Sequence, residues 1–217
     1  MDYHFLAQTS LFEGLSKEEI EKLLQNIKHN IRRYKRGQYI YTHGQTVQNI
    51  CVVLSGSVQI ENIDVLGNKN ILALCYPGEI IGEMYACIPN QAMLIDAVTK
   101  ENTEVLFINV PSLFSEINSN AFGNKIILNM LRTSARKNLI LSTRIFHTSP
   151  KTIRARLYSY FSQQISVQGS NDITIPLDRQ QLADYLSVDR TALSKELGKM
   201  RDEGLLTFHK NNFRLNV

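Results

Sequence analysis

The sequence predicts an α+β chain in which a small antiparallel β domain, one long helix and a compact helical domain ending in a hairpin follow one another. Three observations carry this. Between about Ile31 and Val110, short β-branched and aromatic runs are punctuated by Gly37, Gly44, Gly56, Gly67, Gly78 and Gly82, roughly every ten residues, which suits a barrel or sandwich closed by tight turns. From about Ala121 to Phe146 the pattern turns helical over a length beyond an average globular helix. Near the C-terminus, Asp178 and Asp189 each stand where a helix should begin. The expected boundaries are 1–120, 121–147 and 148–217.

The elements follow in order. Ser16 and Glu19 form a capping box, and Ile20, Leu23, Leu24 and Ile27 keep helical spacing behind it, with Phe12 and Leu15 pinning the start. Tyr39-Ile40-Tyr41, Ile50 to Leu54, Ser57 to Ile60 and Val105 to Ile108 read as strands, with Gly67-Asn68 at a hairpin tip. On the long helix Ile127, Met130, Ser134, Asn138, Leu141 and Ile145 recur every three or four residues, a seam whose polar members would set register. Such a seam either pairs in parallel with its own copy or lies along the β domain of the same chain. His147-Thr148-Ser149-Pro150 is expected to break the helix as a hinge, Ser149 capping the next helix and Pro150 opening it. Ile153, Leu157 and Phe161 then form an apolar stripe, and Ile173 to Pro176 a short strand.

The last segment carries the most specific signal. Asp178 with Gln181 three residues on forms a second capping box, and Asp189 opens a further helix, so two short helices are joined by a tight turn. On the second, Leu193, Leu197 and Met200 share the face toward a core, while Thr191, Ser194, Lys195 and Gly198 lie opposite. Gly204 stops it, and Leu205 to Phe208 and Phe213 to Leu215 flank His209-Lys210-Asn211-Asn212 as a hairpin. This is a winged helix-turn-helix. Its outward face suits a major groove: Arg190, Thr191, Ser194 and Lys195 are the expected base readers, and Lys199 an expected phosphate contact.

Charge agrees with that assignment. The formal net charge of +4 divides into 9 basic against 13 acidic residues in 1–120 and 15 against 7 in 121–217, so the helix-turn-helix half is cationic. Such a half attracts a phosphate backbone and releases its counterions. No run of eighteen apolar residues and no secretory leader pattern occur, which predicts a soluble cytoplasmic protein without a membrane partner. Cys51, Cys75 and Cys87 form no Cys-x-x-Cys pair, so neither a disulfide framework nor a metal cage is expected, and each reads as a small core residue.

β domain, long helix and winged helix-turn-helix, in this order, resemble the CRP/FNR family of bacterial transcription regulators over nearly the whole chain. Arg179-Gln180 and Arg190-Thr191-x-x-Ser194-Lys195 are similar to the family's phosphate-contacting and base-reading positions, and Gly78-Glu79-x-x-Gly82-Glu83 to its effector-pocket turn. The resemblance implies a β-roll or jelly-roll sensor domain, a dimerisation helix, a homodimer on pseudo-palindromic double-stranded DNA, and RNA polymerase as a further partner. It places an effector pocket at Gly82, Glu83, Gln91 and Ala92.

Two departures narrow the resemblance. Family members that bind cyclic nucleotides hold the phosphate with an Arg-Ser or Arg-Thr pair where this chain has Gln91-Ala92. No arginine occurs between Arg36 and Arg132, so the barrel is expected to offer no guanidinium fork, and cyclic AMP is not the expected effector. No cysteine group precedes the barrel, which argues against an iron–sulfur sensor. An unidentified small-molecule or redox effector is left. No cofactor is predicted; haem is the one left open, with Cys87, Cys75 and His43 as candidate ligands. Alternatives from other classes are a cupin-like barrel enzyme and a ligand-binding module with a non-functional DNA domain. The enzyme reading lacks imidazoles, since His43 is the only histidine between Lys35 and Val110.

Overall fold

The computed structural model describes residues 1–64, 67, 69–117 and 122–216, which divide into two compact units, 1–135 and 136–217. In the first unit, α1 (Tyr3–Ala7) and α2 (Lys17–Asn26) precede the strands β1 (His29–Tyr34), β2 (Tyr39–Tyr41), β3 (Asn49–Ser55), β4 (Val58–Ile63), β5 (Lys69–Cys75) and β6 (Ile80–Ile81). The short α3 (Glu83–Ala86), β7 (Asp96–Thr99), β8 (Thr103–Asn109) and α4 (Val110–Ile117) follow, and α5 (Gly123–Thr148) crosses from the first unit into the second. The capping box at Ser16 and Glu19 forms as the sequence predicts. Asn68 of the expected hairpin tip and Ala121, the expected helix start, lie outside the described residues.

The strands make two antiparallel sheets in the orders β1-β8-β3-β6 and β2-β7-β4-β5. Their strand run at Ile50 to Val53 is apolar without alternation because it faces two cores. Cys51 and Val53 point to the core shared by the sheets, with Ile40, Tyr41, Val58, Ala97, Val105 and Phe107. Ile50 and Val52 point to the other side, under Leu6, Phe12, Ile20, Leu23, Leu24, Leu113, Ile126 and Met130.

The seam expected on α5 needs one correction. Met130 is buried with Phe122 and Ile126 in its own chain's core, and the Asn129 amide donates to the Leu11 and Glu13 carbonyls. Ile127, Leu131, Leu141 and Ile145 are exposed, as are Ser134 and Asn138, so the open stripe runs through Leu131 in place of Met130. The helical period allowed either residue; contact with the first unit's core chose Met130.

In the second unit, α6 (Ile153–Gln168), β9 (Asp172–Thr174), α7 (Arg179–Leu186), α8 (Arg190–Asp202), β10 (Leu206–His209) and β11 (Asn212–Leu215) follow the end of α5. Ser149 does not cap α6. Its hydroxyl and N–H both bond back to the Ile145 carbonyl, which makes it the end of α5, and Thr152 accepts from Ala155 N–H as the N-cap. The hairpin is tighter than expected, with Lys210-Asn211 between His209 and Asn212, and β11 also pairs with β9.

Candidate nucleic-acid interface

Local chemistry builds the two motif helices as the sequence implies. The Asp178 carboxylate accepts from Gln181 N–H at 2.8 Å while the Gln181 side chain accepts from Asp178 N–H, and Asp189 accepts from Ala192 N–H at 2.8 Å. Between them the chain reverses at Ser187, which sits in the left-handed region at φ 54°. A non-glycine residue there is uncommon, and the turn is closed by Ser187 N–H to the Asp184 carbonyl and Val188 N–H to the Ala183 carbonyl. Leu193, Leu197 and Met200 on α8 and Leu182, Ala183 and Leu186 on α7 are fully buried together with Leu157 and Phe161.

The opposite face of α8 is open. Arg190, Thr191, Ser194, Lys195 and Lys199 are all exposed, and the Ser194 hydroxyl donates to the Arg190 carbonyl, leaving its lone pairs outward. The acidic groups of this helix are engaged elsewhere. Arg154 of α6 bonds Glu196 with Nε and takes Glu203, the cap of α8, with both terminal nitrogens at 2.7 and 2.8 Å, while Asp202 pairs with Arg201. Among the described residues Arg190, Lys195 and Lys199 carry no ion pair. Their charge is therefore available to a polyanion.

The expected phosphate contacts divide. Gln180 is exposed and donates to Asp184, its helical neighbour. Arg179 is half-buried: its guanidinium carbon lies 5.2 Å from the Phe208 ring centroid and 5.4 Å from that of Phe213, and Nη2 donates to the Lys210 carbonyl in the hairpin turn. Burial, with the nearby Arg190 charge, lowers its pKa from the ordinary value. Arg179 thus ties α7 to the wing, a role that motif spacing did not reveal.

In the first unit, Gly82 takes φ 88° at the start of α3, where an added Cβ would stand 2.9 Å from Tyr41 Cε2. Glu83 is buried. Gln91 and Ala92 are half-buried; the Gln91 amide donates to the Ala92 carbonyl, and Ala92 bridges to Thr46. No guanidinium stands at these positions. The barrel does carry one elsewhere, against expectation: Arg32 of β1 lies 5.4 Å over the Phe107 ring and lines a cavity of about 270 Å³ with Asn30, Gln45, Gln48 and Asn49. The sequence pattern hid it because Arg32 precedes the arginine-free span; its side chain is exposed, on the strand face it shares with Tyr34.

Cys51 and Cys75 are buried as expected, but Cys87 is exposed. Desolvation by the surrounding protein and the Glu83 carboxylate push the Cys87 thiol up from its ordinary value, the reverse of an activated thiolate. Among the described residues, no helix is long and apolar enough to cross a membrane.

Comparison with known proteins matches the two halves separately. Residues 31–120 fit the cyclic nucleotide-binding domain, and residues 155–216 fit the Crp-like helix-turn-helix domain. The chain is 23% identical over 213 residues to the anaerobic regulatory protein of Bacillus subtilis, covering 96% of this chain and 88% of that one. It is 34% identical over 96 residues to the cyclic AMP receptor protein of Thermus thermophilus, covering 44% and 43% respectively. Among solved structures, CprK complexed with OCPA superposes with a TM-score of 0.64 at 19% identity, over 90% of this chain and 88% of that chain.

Proposed function

Because the chain belongs to the CRP/FNR family of DNA-binding transcription regulators, with an effector-sensing domain whose effector is unidentified, we propose a specific division of labour among its residues. Arg190, Thr191, Ser194 and Lys195 read base edges, Lys199 and Gln180 hold phosphates, and Arg179 orders the wing beside them. The observation that carries this is the face of α8: hydroxyl and cationic side chains are exposed while its carboxylates are bound by Arg154 and Arg201. A guanidinium there grips guanine through two parallel hydrogen bonds.

The protein acts as a homodimer, its second copy packing on the exposed stripe of Ile127, Leu131, Leu141 and Ile145. Two copies related by a two-fold axis require a pseudo-palindromic operator. The effector is a small molecule other than cyclic AMP. Gln91 and Ala92 supply no charge for a cyclic phosphate, and Gly82 is closed against Tyr41. A redox effector acting at Cys87 is disfavoured by the direction of its thiol shift. Haem is tested separately, since reconstitution without a Soret band removes it.

Selection of binding sites from random duplex DNA, with and without small molecules from cell extract, tests the whole reading. An enriched palindrome is expected. On that operator Arg190→Ala should cost about 1–3 kcal/mol and relax one position of each half-site. Equal losses on operator and random DNA would remove Arg190 from base reading.

A further inference from the structure

The end of α7 is gripped from two other elements of the second unit. Its last carbonyls, at Asp184, Tyr185, Leu186 and Ser187, stand at a helix C-terminus, where only that of Asp184 also takes a turn N–H, from Ser187. Arg144 of α5 donates to the first two through Nη2 and Nε at 3.2 and 3.3 Å, and Arg156 of α6 donates to the last two through Nη1 at 2.9 and 3.1 Å. Cations at this end also oppose the negative pole of the helix. Arg156 further bonds the Pro150 carbonyl through Nε, so the chain between α5 and α6 joins the same grip.

His147, on the last turn of α5, is 3% exposed. Its Nδ1 is 2.9 Å from the Tyr185 hydroxyl, its ring meets Tyr160 edge-on at 5.4 Å, and Tyr160 and Tyr185 are themselves 5.5 Å apart. The Arg144 guanidinium covers the outer side of the Tyr185 ring at 5.7 Å. The charged and titratable groups around His147 are therefore Arg144 on α5, Tyr160 and Arg156 on α6, and Tyr185 and Asp184 on α7. The one carboxylate among them, Asp184, accepts from Gln180.

We infer that His147, Tyr185, Arg144 and Arg156 are positioning residues for operator binding, which hold the turn between α7 and α8 and so orient the base-reading face without touching DNA. The inference rests on α8 being the recognition helix. It makes operator binding sensitive to pH through His147. Burial lowers the imidazole from its ordinary value of 6.5, so the packed ring is neutral at pH 7. As pH falls below 6.5 a released ring takes up a proton more readily than the packed one. The gripped arrangement loses stability down to the ring's own lowered value, and regains it as pH rises.

The test uses the full chain on the selected operator and on random duplex DNA between pH 5.5 and 8. Wild-type protein should lose operator affinity more steeply than random-DNA affinity as pH falls across that range. His147→Asn should flatten this difference, and Tyr185→Phe, which keeps the ring and removes the hydroxyl, should weaken operator binding severalfold at pH 7.5 with random DNA unchanged. Parallel pH profiles for wild type and His147→Asn would overturn the inference. Amide exchange at Ser187 and Val188 supplies a readout that needs no operator. Their protection should fall with pH in the wild type and be lower and flat in His147→Asn; unchanged protection in both would also overturn it. Responsive protection with no operator selected would fault the recognition-helix reading alone.

Discussion

Replacing Arg179 with Ala separates a residue that meets phosphate from one that builds the wing. The structure gives its guanidinium two aromatic partners, Phe208 and Phe213, whose rings are stacked 5.8 Å apart, and a hydrogen bond to the Lys210 carbonyl at the turn. Each cation–π contact at a partly exposed site is worth about 0.5–1 kcal/mol, so the substitution should destabilise the second unit by about 1–2 kcal/mol. For a unit of this size that is a fall in Tm of about 4–8 °C per kcal/mol. Differential scanning calorimetry of the full chain, in the absence of DNA, measures it. DNA binding against salt should then lose about one unit of slope if Arg179 also holds a phosphate. A pure phosphate contact would lower the slope and leave the unfolding transition of residues 136–217 in place. An unchanged Tm would refute the wing role and with it the argument from ring geometry.

Two further substitutions probe other parts of the argument. Leu193→Ala removes a fully buried side chain from the inner face of α8 and should cost about 2–5 kcal/mol, seen as a lowered denaturation midpoint with operator and random-DNA binding lost together. Gly82→Ala forces a Cβ against Tyr41, which is held by its own hydrogen bond to the Asn49 carbonyl at 2.6 Å, and forces a left-handed φ on alanine. It should destabilise residues 1–135 by about 1–3 kcal/mol while the transition of the second unit stays, as two-transition calorimetry would show.

Features written within a few residues of chain were legible. The capping boxes at Ser16 and Asp178, the cap at Asp189 and the buried triad Leu193, Leu197 and Met200 form as their spacing implies. Where two local signals competed, reading failed. Ser149-Pro150 is a good helix opening, yet Thr152 took that role because Ser149 bonds back to Ile145 and Arg156 occupies the Pro150 carbonyl. Met130 fits the open seam by period as well as Leu131 does, and only the core beneath it decides.

By itself the sequence determined the order of elements, the two motif helices with their inward and outward faces, and the concentration of positive charge in the second half. These follow from backbone periodicity, capping chemistry and charge count, all local properties. Tertiary structure decided which cations stay uncompensated, since Arg154 reaches Glu196 and Glu203 from another helix. It also decided that Arg179 stacks on the wing, that Arg32 covers Phe107, and that His147 meets Tyr185. Each of these joins residues distant along the chain, and no local period or cap encodes a partner that only packing brings within reach.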